Sequence, residues 1–228
     1  MADPSFGEVE ACVFDAYGTL FDVHSAAARM KDELGDQADA LSDMWRLKQL
    51  QYTWLRSLMG RHEDFWQVTG DALDYSMRAL DIENDALRAK LMELYLQLEA
   101  YPEVVDVLTK LKDSGKKTAI LSNGEPSMLI AAAKSAKIYP LLDGVLSIEK
   151  VGIFKPHPST HQIAVDELMV AANHISFQSS NGWDAHGAAA FGFAVAWVNR
   201  FNQPHENLPA APHAEIKTLS DLTGLLNL

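Results

Sequence analysis

Ala11-Cys12-Val13-Phe14-Asp15-Ala16-Tyr17-Gly18-Thr19-Leu20 is the stretch whose reading decides the fold. A short apolar run stops at a carboxylate, then passes into a turn at Tyr17-Gly18-Thr19. Apolar on every residue, the run reads as a central strand buried on both faces. The residues that follow have a different period. Met44, Leu47, Leu50, Trp54, Leu55 and Leu58 recur at spacings of three and four, which predicts one long amphipathic helix. Similar patterns over Ala26–Leu34, Asp64–Leu80 and Asp85–Leu98 predict further helices.

From Tyr101 the pattern alternates. A helix over Pro102–Lys112 stops at Gly115, and Thr118-Ala119-Ile120-Leu121 reads as a strand. A helix from Pro126 precedes the strand Gly144-Val145-Leu146-Ser147. A helix over Ser159–Leu168 precedes the strand His174-Ile175-Ser176-Phe177. A small helix after Asp184 leads to the strand Phe193–Val198. Alternating strand and helix imply a parallel sheet covered on both faces. The predicted fold is α/β, a doubly wound Rossmann-like sheet. Its core takes residues 1–21 and 100–228, with an all-helical cap over 22–99 inserted after the first strand. Ligands of such sheets bind outside the carboxyl ends of the strands, where this insertion would lie as a lid.

The composition suits one core with a satellite. Of 228 residues, 48% are hydrophobic and 22% charged, and 19 basic against 31 acidic residues leave a formal net charge of −12. Such a surface repels nucleic acid and anionic membrane. The lone Cys12 rules out an internal disulfide and reads as a buried, inert thiol. Met1–Glu10 has no apolar signal core, and no apolar run reaches the ~20 residues of a membrane span, so a cytoplasmic location is expected.

Four polar clusters fall at or near strand ends: Asp15 to Thr19, Ser122-Asn123-Gly124, Lys155-Pro156, and Ser179-Ser180-Asn181-Gly182-Trp183-Asp184. Singly, each has a plainer account as a turn, cap or solvated charge. Their common position at one edge of one sheet favours a site. A buried aspartate beside a lysine keeps its charge and can attack an electrophilic carbon or phosphorus. Hydroxyl, amide and backbone N–H groups at the same edge can hold an anion.

Taken in order, these four clusters resemble the motifs of the haloacid dehalogenase superfamily. The resemblance covers the whole chain and implies Asp15 as nucleophile, Thr19 and Ser122 as hydrogen-bonding groups and Lys155 as the neutralising cation. Phosphatases of this fold usually carry a second aspartate two residues after the nucleophile, to protonate an alkoxide. Tyr17 stands there instead, and a departing halide needs no proton. The last cluster carries one carboxylate, Asp184, where metal-dependent phosphatases gather several, so no cofactor is expected.

Trp45-Arg46 further resembles the signature of the L-2-haloacid dehalogenases. That resemblance implies a halide cradle of Arg46, Asn123 and Trp183, and apolar contacts to the substrate from Leu50 and Phe65. Backbone N–H groups at Ala16 and Tyr17, with Ser122, would bind the substrate carboxylate. Asp184 would activate or position water, with Ser179 and Asn181 orienting it. One departure is His161, where the family commonly has tyrosine; histidine ordinarily titrates near pH 6.5. His186 reads as an ordinary helix residue or a partner of Asp184, and His24 and His157 as turn residues. The runner-up activities are a cap-bearing phosphatase, a hydrolase opening a strained ring on a carboxylic acid, and a catalytically retired binding protein. The expected partner is a small 2-haloacid, and the apolar coverage of the cap helices permits a homodimer.

Overall fold

The computed structural model describes residues 5–23, 25 and 29–228. His24 and part of the helix predicted over Ala26–Leu34 lie outside the described residues; the described remainder forms the short α1 (Lys31–Leu34). The helices α2 (Gln37–Met59), α3 (Phe65–Ala79) and α4 (Asp85–Tyr95) follow. Asp64 and Asn84 open α3 and α4 as N-caps, accepting from the N–H groups of Gln67 (2.8 Å) and Leu87 (2.9 Å).

β1 (Ala11–Phe14), β2 (Lys117–Ser122), β3 (Gly144–Ser147), β4 (Ile175–Ser179), β5 (Ala194–Val198) and β6 (Ala214–Ile216) form one sheet in the order β3-β2-β1-β4-β5-β6. Every pairing is parallel. β6 is an addition to the expected sheet. Its three residues are too few to show a period, and its central Glu215 is exposed.

Side chains of the sheet alternate between two apolar clusters. Cys12 and Phe14 join α5 (Val104–Asp113), α6 (Pro126–Ser135) and the terminal α9 (Leu222–Leu225) on one face. Ala11 and Val13 join α7 (Pro158–Leu168) and α8 (Gly182–Phe191) on the other. The first cluster continues into α2, α3 and α4 through Tyr17, Trp45, Phe65 and Leu91. Burial pushes the Cys12 thiol up to about 12, with Lys116 offsetting a little, so the thiol is inert as expected.

The two passages of chain between β1 and the helical segment run side by side. Phe21 bridges Ala100, Asp22 N–H donates to the Glu99 carbonyl (2.8 Å), and Tyr101 N–H donates to the Leu20 carbonyl (3.0 Å).

The apolar stripe predicted for α2 is not its buried face. Ala38, Leu41, Trp45, Gln49 and Thr53 are buried, whereas Leu47, Leu55 and Leu58 are 53%, 46% and 85% exposed. Gln49 and Thr53 are polar, which hid the true face from a hydrophobic count. Gln49 is satisfied internally, donating to Thr69 Oγ1 (2.7 Å) and Tyr95 Oη (3.1 Å).

On α8, a Cβ at Gly187 would stand 2.4 Å from Pro156 Cβ. In a free helix Gly→Ala stabilises by about 1 kcal/mol. Here Gly187→Ala is expected to destabilise by ~1–3 kcal/mol, because Pro156 and the adjoining Lys155 must move. A thermal melt reads the sign, and a raised Tm would contradict the close packing.

Candidate active site

Strand order reverses between β1 and β4, and the crevice beyond their carboxyl ends is where this topology places ligands. Asp15 stands at that edge, with its N–H donating to the Gln178 carbonyl (2.9 Å) to extend the β1–β4 ladder. Its side chain is 9% exposed and its carboxylate meets three donors. Lys155 Nζ lies 3.2 Å from Oδ1; Asn181 Nδ2 (2.9 Å) and Thr19 Oγ1 (3.2 Å) reach Oδ2. Thr19 is fixed in turn by accepting from Ser180 N–H (2.8 Å). The turn that brings Thr19 back requires Gly18, whose φ is +92° and whose Cβ would press on Ser180 Oγ at 3.0 Å.

Lys155 also donates to Asp184 Oδ2 (3.0 Å). The ammonium is 1% exposed, and the Asp184 side chain is wholly buried. Burial alone would push the lysine down, but Asp15 and Asp184 together raise it above its ordinary range. Burial likewise pushes Asp184 up to about 6, against the pull of Lys155 and aided by the charge of Asp15. A Ser179 hydroxyl close by favours its ionised form. Asp184 lies inside the first turn of α8 rather than ahead of the helix. The N-cap is Asn181, whose side chain makes no capping bond; its amide donates to Asp15 and to the Tyr17 carbonyl (3.2 Å) instead.

Helix α2 crosses this edge. Arg46 Nη2 reaches Asn181 Oδ1 (3.3 Å) and the Tyr17 carbonyl (3.4 Å), while Nη1 donates to Gln49 Oε1 (2.7 Å). Eight residues on, Trp54 packs edge-on against Trp183 at 5.3 Å between centroids. Leu50, half-buried, lies between them at a spacing of four, on the same face of the helix. Phe65 stacks on Tyr17 at 5.3 Å, and Tyr95 lies 5.5 Å from the same ring. Tyr17 is buried and its phenol is pushed well above its ordinary range, so it offers no acid at that position.

The remaining expected residues hold the frame. Asn123 Oδ1 accepts from Lys155 N–H (3.0 Å), steering the lysine back to the edge from a loop well beyond β3. Ser122 Oγ, buried at the end of β2, accepts from Gly124 N–H (3.1 Å). Ser179 Oγ accepts from Asn181 N–H (3.2 Å). Among the described residues, no hydrogen bond joins Ser122 or Trp183 to Asp15.

With this geometry in view, comparison with known proteins is informative. The profile of the haloacid dehalogenase-like hydrolases matches residues 9–192. The chain belongs to that family. An (S)-2-haloacid dehalogenase 4A from Burkholderia cepacia is 46% identical over 219 residues, covering 96% of this chain and 95% of that protein. A dehalogenase crystal structure superimposes with a TM-score of 0.94 at 46% identity, covering 96% and 97% of the two chains. The L-2-haloacid dehalogenase of Xanthobacter autotrophicus, solved with chloropropionic acid covalently bound, superimposes with a TM-score of 0.90 at 36% identity, covering 96% and 98%.

Within this haloacid dehalogenase-like hydrolase, His186 is a residue of α8 whose Nδ1 lies 3.1 Å from the Pro209 carbonyl. His157 caps α7, accepting from Ser159 N–H. His161 does not titrate near 6.5. Burial, with Lys155, lowers it to about 3 against the favourable His157 carbonyl, so it is neutral. From the sequence, Gln49, Thr69 and Tyr95 had no assigned role, nor had Ser180 within its cluster. Gln49 had a signal, standing one turn beyond Arg46.

A folded-state carboxyl raised above its unfolded value contributes stability that is lost as pH rises through the folded value. The wild type should therefore lose stability between about pH 4 and 6 on account of Asp184. Asp184→Asn should flatten that fall. Melts at pH 4.5 and 8 check this, and a variant that loses as much stability as wild type between the two would overturn it.

Proposed function

We infer that the chain hydrolyses short (S)-2-haloacids to 2-hydroxy acids with inversion, through an ester on Asp15. The observation that carries the reading is the Asp15 carboxylate, ionically paired and triply hydrogen-bonded at the switch point, with the Arg46 guanidinium bonded to the neighbouring Tyr17 carbonyl and Asn181. The covalently bound chloropropionic acid of the Xanthobacter autotrophicus protein supports it.

In the first step Oδ1 of Asp15, on which Lys155 donates, attacks C2 and expels halide toward Arg46, Asn123 and Trp183. A planar guanidinium and aromatic edges suit a large, weakly hydrated anion. Leu50 and Phe65 enclose the alkyl part. The N–H groups of Ala16 and Tyr17, which donate to no group among the described residues, receive the substrate carboxylate together with the Ser122 hydroxyl. In the second step Asp184 takes a proton from water as its oxygen attacks the Asp15 carboxyl carbon. Asn181 and Thr19, already on Oδ2, stabilise the oxyanion. Collapse expels the alkoxide, which recovers the proton from Asp184. The acid left on Asp15 then loses its own proton to solvent.

We read residues 22–99 as a cap on a core of residues 1–21 and 100–228, hinged at the Phe21–Ala100 bridge. No described helix is long and apolar enough to cross a membrane. The exposed row Leu47, Leu55, Leu58 and Met59 suits pairing of two copies, which the mass in solution tests.

A phosphatase would need a proton donor where Tyr17 stands. Release of halide from (S)- but not (R)-2-chloropropionate, in excess chelator, is the expected result; dependence on Mg²⁺ would favour the phosphatase. A single turnover in H₂¹⁸O, with enzyme in excess, should leave ordinary oxygen in the product and ¹⁸O in the Asp15 peptide. Asp15→Asn should be inactive. Heavy oxygen in the product alone would mean direct attack by water.

Arg46→Lys is expected to slow halide release by about 10²–10³, because an ammonium cannot keep the bond to Gln49 while facing the leaving anion. A rate within twofold of wild type would reduce Arg46 to a structural charge.

A further inference from the structure

His161 lies behind the proposed base, in a place the mechanism above does not use. The ring is wholly buried. It stacks on Phe191 (5.5 Å) and meets Phe177 and Phe193 edge-on at 5.9 and 5.7 Å, so it has no room to swing away. On its Nδ1 side are the His157 carbonyl, one helical turn back, and the Thr160 hydroxyl (3.4 Å). Those partners put the ring proton on Nδ1 and leave a lone pair on Nε2. Nε2 stands 4.0 Å from Asp184 Oδ1, and neither atom has a hydrogen-bond partner among the described residues.

Two buried acceptors facing each other are unsatisfied together, and a single added proton satisfies both. That proton arrives once per turnover. Resting on the reading of Asp184 as the base for ester hydrolysis, we propose that His161 is its positioning residue: Nε2 holds, by hydrogen bond, the proton that Asp184 Oδ1 takes from the attacking water. The water O–H bond breaks, its oxygen bonds to the Asp15 carboxyl carbon, and the proton stays on Oδ1 while a slight turn of the carboxyl closes the 4.0 Å gap to Nε2. On collapse it passes from Oδ1 to the departing alkoxide, and His161 ends as it began.

The charged groups facing His161 are Asp184 on α8 and Lys155 ahead of α7, with Asp15 behind the lysine. The rings approaching from β4, α8 and the residue before β5 are phenylalanines, and His157 turns its own ring to Ser159. Lys155 keeps the imidazole neutral, so His161 acts as an acceptor and not as a second acid. By favouring the protonated form of Asp184 it makes that carboxylate a stronger base.

The test follows hydrolysis of the ester formed on Asp15 from (S)-2-chloropropionate, with enzyme in excess, by the mass of the Asp15 peptide across pH 4.5–8.5. Wild type, His161→Phe and His161→Tyr are compared, each with a thermal melt. Wild-type hydrolysis should rise with pH around a midpoint near 6, where Asp184 ionises. His161→Phe removes the acceptor; its plateau should fall about five- to tenfold and its midpoint move down by up to about one pH unit. The His161→Tyr phenol donates to the carboxylate, so its midpoint should fall at least as far. A structural role would lower the rate without moving the midpoint. An ester that hydrolyses with the wild-type midpoint in either folded variant overturns the proposal alone. No ester in the wild type overturns the covalent reading and this proposal with it.

Discussion

The Lys155 ammonium, 3.2 Å from Asp15 and 3.0 Å from Asp184, is the contact to which the rest of the carboxyl edge is fitted. An isolated buried ammonium costs several kcal/mol, and each carboxylate alone would cost as much. Together they are tolerable, provided every element that carries them stays in register. The Asn123 amide holds the lysine backbone, Pro156 meets Gly187 without a side chain between them, and α8 begins where Asp184 can reach inward. Burial, with the charge of Asp15 nearby, also leaves Asp184 easier to protonate than an ordinary carboxyl. One ammonium thereby holds the proposed nucleophile and the proposed base side by side.

Arg46 adds a second cation from a different layer. Its bonds to the Tyr17 carbonyl and Asn181 tie α2 to the loops after β1 and β4, while Gln49 ties it inward to Thr69 and Tyr95. The guanidinium is therefore oriented from both sides, and the rings of Phe65 and Tyr95 pack on Tyr17 beside it.

The sheet was legible because parallel strands buried on both faces are apolar throughout, as in Ala11–Phe14, and because Asp15, Ser122 and the cluster from Ser179 to Asp184 stand at the ends of such runs. What escaped had a physical reason. β6 is three residues long with a charged centre. The buried face of α2 includes Gln49 and Thr53, which look solvated until Thr69 and Tyr95 are brought to them by α3 and α4. Lys155 reaches the site through a loop, so only its partners reveal its place. His161 was conspicuous as a residue type, but its neutrality depends on Phe177, Phe191, Phe193 and Lys155, which no local pattern joins.

The bridge between Phe21 and Ala100 has a bearing on how such a chain can change over time. The excursion between these positions leaves and returns at one point, so the entropy of closing it depends only logarithmically on its length. Segments could be lengthened, trimmed or exchanged there while the strands and their nucleophile stay undisturbed. The scaffold is thus free to acquire a new substrate range from one side of a single junction.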